Sequence, residues 1–453
     1  MIAEDPRLRA GLPDEIDTSS IVWDDTRPWP RLDERALHGV AGDVVRMLRP
    51  HTEADPAALL FQFLTGAGNL IGRSAYVSVG AVRHEPRLFV AIVGASAKAR
   101  KGQSWSEAAA VLRQADPNGL EAAHISGLAS GEGLIARLRD PEDGVSVEKR
   151  GLVVEAEFAR VLAAAGRDGS TLSAILRDAW DGGTLSVLTR KDPLVARGAY
   201  VSVIAHITQD ELEAKLTSVD VSNGFANRFM FICARRARML PSGGNLSFDE
   251  LAGMGRNVAH AFDRARRLGE MKRSPAFAKA WEWLYAQFPD EPGQAGAIVA
   301  RAEAHVLRLS VLYAALDGVA EIGAEHLLAA YAAWAYAANS ARYVFGARLT
   351  DDVEQRLLDE IRAVYPDGLD RTQQRDAFAR HSSEARMKRA REQLLAKGVA
   401  REESSATGGR PRHVLFAVPR DESAESDQST EGATLSALSS LIAPSQGGEE
   451  GEL

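Results

Sequence analysis

Phe89–Trp105, FVAIVGASAKARKGQSW, is the stretch whose reading decides the fold. Its first part is an unbroken apolar, β-branched run, the signature of a strand buried on both faces in the middle of a parallel sheet. It breaks into a loop of small and basic residues and then into a helical pattern from Trp105 to Leu112. Strand, small-residue loop and a helix start carrying a hydroxyl form a layout that holds nucleotide phosphates. Backbone N–H groups and the helix N-terminus supply partial positive charge, a lysine adds a full one, and the hydroxyl reaches Mg²⁺. ATP with Mg²⁺ is the ligand this layout predicts. If Gly102-Gln103-Ser104 stands where G-K-[ST] would be, Gln103 replaces the lysine and Ala97 the first glycine. Positive charge comes instead from Lys98, Arg100 and Lys101, with Gly94 giving flexibility earlier. The same charges also suit a nucleic-acid backbone or a solvated surface loop. The reading carried forward is a divergent phosphate loop whose Lys101 precedes Gly102.

Working outward, apolar runs alternate with helical patterns. Ala75–Val82 alternates like a strand, Gly151–Phe158 is β-branched and ends in two carboxylates, and Tyr200–Ile207 and Phe229–Ala234 are further buried strands. Helices are expected over Glu34–Arg49, from Asp55-Pro56 to Gly66 or Gly68, and over 170–181. This alternation predicts an α/β fold with a mainly parallel sheet. The chain then divides into an irregular arm (1–34), the α/β core (35–246), a helical bundle or lid (247–348), a small unit (351–418) and a disordered acidic tail (419–453).

Glu155 and Glu157 end a strand suited to an acidic pair, one orienting the metal together with Ser104 and the other activating water. Hydrophobic strands ending in acids are also common without a function. His206 ends the Tyr200 strand as a candidate sensor of the γ-phosphate or a hydrogen-bonded structural residue. Arg228 suits an arginine finger toward a neighbouring subunit, or an intramolecular ion pair. Arg301 and Arg308 stand on one helix, either reaching nucleotide or lying on an ordinary helix surface.

The small unit reads as three helices and a basic hairpin, a winged helix-turn-helix. Arg386, Lys388, Arg389 and Arg391 fall on its third helix, with Ala385, Ala390, Leu394 and Leu395 toward its core. Arg410, Arg412 and His413 load the wing. Such residues neutralise DNA phosphates. Winged helices also dock proteins. The formal net charge of −8 over 453 residues excludes coating nucleic acid by bulk charge, so any DNA site is local. The single cysteine, Cys233, forms no intramolecular disulfide and fits a cytoplasmic setting as a buried strand residue. The acidic N-terminus has no secretory pattern, and no apolar run is long enough for a bilayer.

Several segments carry a resemblance: Pro50–Pro56 (PHTEADP), Ser96–Trp105 (SAKARKGQSW), Glu155–Ala159 (EAEFA), Leu176–Gly183 (LRDAWDGG), Ala205–Thr208 (AHIT) and Gly224–Phe229 (GFANRF). Together they resemble a family of RecA-like, helicase-type ATPases found beside or fused to primase-polymerase domains in actinobacterial phages, plasmids and mobile elements. The likeness covers residues 28–345 and, more loosely, the winged helix. It implies that Lys101 or Lys98, with Gly102 and Ser104, holds nucleotide and Mg²⁺, the chain departing from the general phosphate-loop pattern at Gln103 and Ala97. It also implies that Glu155 and Glu157 form the acidic pair, His206 the sensor and Arg228 the finger. A homo-oligomer such as a hexameric ring and a separate primase-polymerase partner are expected on the same ground.

Overall fold

The computed structural model describes residues 29–95, 97–141, 148–188, 193–288, 291, 293–346, 352–378, 383–396, 399–405, 412–418 and 429–442. These residues fall into two compact units, 29–346 with 429–442, and 352–418.

Five parallel strands centre the larger unit: β1 Phe89–Val93, β2 His124–Ile125, β3 Arg150–Glu155, β4 Tyr200–Ile207 and β5 Met230–Cys233. Their spatial order is β2-β3-β4-β1-β5. β1 and β4 are buried at every position, as unbroken apolar runs require of strands covered on both faces. The mixed α/β fold with a parallel sheet thus follows from the alternation of patterns. Register places Ala91 beside Ala205 and Ala205 beside Glu155, so the carboxyl ends of β1, β4 and β3 open along one edge. β2 has two residues and leaves no run in the sequence; pairing with Leu152 and Val153 is what defines it. Cys233 is buried in β5, and burial pushes its thiol up to about 12.

Helix α1 is Gly39–Leu48, preceded by a 3-10 turn over Glu34–Ala36, so the single helix expected from Glu34 is broken at Leu37-His38. Helix α2, Pro56–Ile71, starts as expected with Asp55 capping the Ala57 N–H and proline in the first turn. Every residue from Ala57 to Ile71 is buried, and α2 lies against β1, β3, β4 and β5. It runs through Gly66 and Gly68 instead of stopping there. A Cβ on Gly66 would meet Leu112, and one on Gly68 the Pro86 carbonyl, so these glycines permit close packing. The expected Ala75–Val82 strand is a hairpin, Val77–Val79 against Val82–His84, turned by Gly80 at φ 58.

Between and after the strands run α3 Lys101–Ala115, α4 Pro117–Ala123, α5 Gly131–Leu138, α6 Phe158–Ala165, α7 Leu172–Asp181, α8 Gln209–Lys215 and α9 Ser218–Ser222. Then follow α10 Phe248–Ala265, α11 Pro275–Tyr285, α12 Gly293–Val299, α13 Ala302–Asp317 and α14 Ala324–Phe345. α10 packs on α3, and α14 on β5 and α13. The all-helical stretch therefore shares the core of the sheet.

The smaller unit holds α15 Asp352–Ala363, β6 Leu369–Asp370, α16 Arg371–Ala377, α17 Glu384–Ala396, β7 Ala400–Ser405 and β8 Arg412–Ala417. Its sheet is antiparallel in the order β6-β8-β7, over a separate core that includes Leu357, Ile361, Met387, Leu394 and Leu415. The disordered tail is corrected in part: α18, Ser429–Ile442, packs on α14 and α11 of the larger unit with Leu435 and Leu438 buried. The alternation of small residues hid this apolar stripe. Among the described residues no helix is long and apolar enough to cross a membrane.

Candidate functional site

β1 ends at Val93, and Gly94 follows with its N–H donating to the Ile207 carbonyl of β4 at 3.2 Å. A Cβ on Gly94 would fall 2.4 Å from the Ala99 Cβ, so only glycine lets the loop fold back over the strand end. Arg100 is left-handed at φ 57, ψ 29, and α3 begins with the next residue, Lys101. Helix therefore starts earlier than the Gly102-Gln103-Ser104 register requires. Lys101 reaches back with Nζ 3.1 Å from the Gly94 carbonyl. Burial pulls its ammonium below the usual lysine range, opposed by Glu211 and Glu157. The α3 N-terminus has no side-chain cap and no acid in its first turn, which leaves its positive end facing the loop. Arg100 is engaged by Glu53 at 2.6 Å. Lys98 is exposed on the 3-10 turn Ala97–Ala99.

Ser104 is fully buried, one turn inside α3. Its hydroxyl donates to the Lys101 carbonyl at 2.7 Å and accepts from Gln62 Nε2 at 2.5 Å. Because Gln62 Nε2 also donates to the Ala58 carbonyl, its Oε1 is fixed as the acceptor of the His206 Nε2–H, 2.8 Å away. Gln62, which the sequence reading missed, thus ties the end of β4 to the start of α3. A buried glutamine inside an apolar helix run was the one available signal. Burial, with Lys101 nearby, lowers His206 to about 4, so the imidazole is neutral at pH 7. With its Nε2–H donated to Gln62, His206 makes a buried structural hydrogen bond at the end of β4.

Glu155 ends β3, is 4% exposed and accepts the Leu128 N–H. Glu157 is exposed at the start of α6 and acts electrostatically on Lys101. The structure therefore brings Gly94, Lys101, Glu155, Glu157 and His206 to one edge of the sheet. It does not bring Ser104 there as a cation ligand, since its hydroxyl is buried and engaged on both sides. The residues present do not assemble the expected Mg²⁺ set of Ser104 with Glu155. Gln103, half-buried in the first turn of α3, bonds toward Glu107.

Arg228 precedes β5 at the opposite edge of the sheet. β1 has five residues, so at about 3.3 Å per residue the two edges are about 15 Å apart. Arg228 is 7% exposed, ion-pairs with Asp181 at 2.6 Å and donates to the Gly224 carbonyl at 2.6 Å. The intramolecular pair, not a projecting finger, is the state of this residue. Arg228, Arg301 and Arg308 surround Trp180, with guanidinium carbons 5.6, 5.1 and 3.5 Å from its ring centroid. Arg301 also bonds Asn227 at 2.9 Å, and Arg308 is 3% exposed and bonds the Trp180 carbonyl at 2.9 Å. Neither reaches the loop edge.

His38, Asp317 and His326 form a second polar cluster, with one ligand atom each within 4.8 Å of the others. His326 Nδ1 accepts the Gly323 N–H at 2.8 Å, so Nε2 carries the proton and donates to Asp317. The trio is a hydrogen-bonded staple between helix ends.

In the smaller unit Arg386, Lys388 and Arg389 are exposed on α17. Arg391 is 3% exposed, ion-pairs with Glu384 at 2.8 Å and bonds Gln374. The core face of α17 is Met387, Ala390, Arg391 and Leu394, while Ala385 is exposed, so the expected face is rotated and Arg391 leaves the candidate DNA surface. Arg412 is half-exposed and pairs with Asp370 at 3.2 Å; Arg410 lies outside the described residues. Compared with known protein families and with characterised proteins, the sequence matches none.

Proposed function

We propose that the protein is an ATP-dependent DNA helicase or translocase of a mobile genetic element, built on a RecA-like core with a divergent phosphate loop and a winged helix-turn-helix. The observation that carries this reading is the strand order. The chain leaving β1 crosses to the far edge strand β2, while the chain leaving β4 passes β1 to reach β5. Oppositely directed connections leave a crevice at the carboxyl ends of β1 and β4, the place where open α/β sheets take ligands. Gly94 follows β1 and Lys101 reaches back to its carbonyl at that end of the sheet, with Glu155 and Glu157 one strand beyond β4.

In this reading the α3 N-terminus and Lys101 hold the β- and γ-phosphates, Lys101 exchanging the Gly94 carbonyl for phosphate oxygen. Glu157, exposed and close enough to Lys101 to act on its charge, accepts a proton from the attacking water. Arg386, Lys388 and Arg389 neutralise DNA phosphates. Burial of Ser104 favours a second reading, a DNA-binding replication or regulatory protein that binds nucleotide without turnover.

The test is ATP hydrolysis by the full chain with and without single-stranded DNA, read beside its oligomer mass. DNA-stimulated turnover that falls at least about a hundredfold in Lys101→Ala and Glu157→Gln is expected. Nucleotide binding with no turnover selects the second reading. Variants indistinguishable from wild type would remove the first.

A further inference from the structure

We infer that Arg228 and Arg301 form a binding site for a dianionic phosphate group, with the Asp181 carboxylate as the anion that the ligand displaces. The site is built by two stretches that the function proposed above does not use, Leu176–Gly183 (LRDAWDGG) and Gly224–Phe229 (GFANRF). They meet through the Arg228–Asp181 pair, across 47 residues of chain. The pair lies at the edge of the sheet where β5 begins, opposite the Gly94–Lys101 loop, so the inference does not depend on nucleotide binding there.

A glycine in each stretch lets a guanidinium close in. Gly182 is left-handed at φ 84, and a Cβ there would fall 2.9 Å from Arg87 Nη2; Gly224 is at φ 80, and a Cβ there would fall 3.0 Å from Arg228 Nη1. Like charges are crowded as a result. Arg87, Arg228, Arg301 and Arg308 face two carboxylates, Glu85, which Arg73 also engages, and Asp181, which serves Arg228 at 2.6 Å and Arg301 at 4.0 Å. Arg308 bonds the Arg87 and Trp180 carbonyls and has no ion pair among the described residues. Burial, with Arg87 beside it, pulls its guanidinium down to about 9, and burial and Arg228 lower Arg301 as well. A surplus of about two positive charges is thus held around one indole. Acceptors are short too. Arg228 Nε, Arg308 Nε and Trp180 Nε1 are buried without a hydrogen-bond partner among the described residues. A phosphate dianion supplies both quantities, and planar guanidinium groups are suited to it. Asp181 and Arg301 are partly exposed and Arg228 is buried behind them, so a ligand enters where the carboxylate now sits.

The experiment is calorimetric titration of the full chain with inorganic phosphate, alongside Asp181→Asn, Arg301→Gln and Lys101→Ala, with melting curves to check folding. Wild type should bind with a dissociation constant of about 1 mM or tighter. Asp181→Asn, freed of the competing carboxylate, should bind about tenfold more tightly, and Arg301→Gln at least about tenfold more weakly. Lys101→Ala should match wild type. No binding by wild type and by Asp181→Asn overturns the inference, as does Arg301→Gln binding like wild type. Binding lost in Lys101→Ala but kept in Arg301→Gln assigns the phosphate to the loop and overturns it equally. If Arg301→Gln does not fold, Asp181→Asn decides, since binding no tighter than wild type removes the site. A 5′-phosphorylated oligothymidine that binds Asp181→Asn more tightly than its 5′-hydroxyl twin identifies the ligand as a strand end; equal binding identifies it as a free phosphate.

Discussion

Gln62 is the residue on which the candidate site turns. Its amide satisfies the Ser104 hydroxyl, the Ala58 carbonyl and the His206 Nε2–H in a region without solvent. Gln62→Leu keeps most of the volume and orphans buried polar groups, so a loss of about 1–3 kcal/mol in urea unfolding is expected. The same change should move the His206 imidazole resonance in NMR. Arg228→Ala separates two roles for that arginine. An intramolecular pair predicts a lower melting temperature, with a loss of about 1–3 kcal/mol, because the Gly224 carbonyl loses its donor and Trp180 its covering cation. A finger toward another subunit predicts unchanged melting. Lys101, Glu155 and Glu157 were legible as candidates because their charges interrupt or end apolar runs. Gln62 was not, because its role depends on partners 42 and 144 residues away.

At the scale of elements, the His38 staple couples the start of α1 to the end of α13 and the first turn of α14. The hydrogen bond to Asp317 raises His38, with burial opposing and the Asp317 and Glu325 charges assisting. Burial alone would raise the Asp317 carboxyl, but hydrogen bonds from His326 and His38 hold it well below the usual carboxylate range. A raised histidine binds its proton more tightly when folded. Its contribution is therefore complete below about pH 6.5 and declines as pH rises through the folded value. The difference in melting temperature between wild type and His38→Gln should be largest near pH 6 and shrink toward pH 8.5. For α17, replacing Arg386, Lys388 and Arg389 by alanine should weaken DNA binding across sequences. It should also flatten the slope of log K against log salt by up to about 0.9 for each phosphate that is no longer neutralised. Arg391→Ala should instead destabilise the small unit, since Arg391 is buried against Gln374 and Glu384.

For the whole molecule, the chain leaves the larger unit after α14, builds the smaller one, and returns α18 to α14 and α11. Arg342 clasps Glu431 of that helix at 2.6 Å as well as Glu291. Leu438→Ala removes a fully buried side chain, and a cost of about 2–5 kcal/mol is expected. Calorimetry should show the loss in the transition of the larger unit and none in that of residues 352–418, whose core is separate. By itself the sequence determined the class of the fold, since unbroken apolar runs separated by helical patterns admit little but a sheet covered on both faces. Tertiary structure alone decided the helix start at Lys101, the burial of Ser104, the pairing of Arg228 with Asp181, the inward turn of Arg391 and the docking of α18. The states of Ser104, Arg228 and α18 depend on partners distant in the chain, and a side chain's availability for chemistry is set by which partner reaches it first.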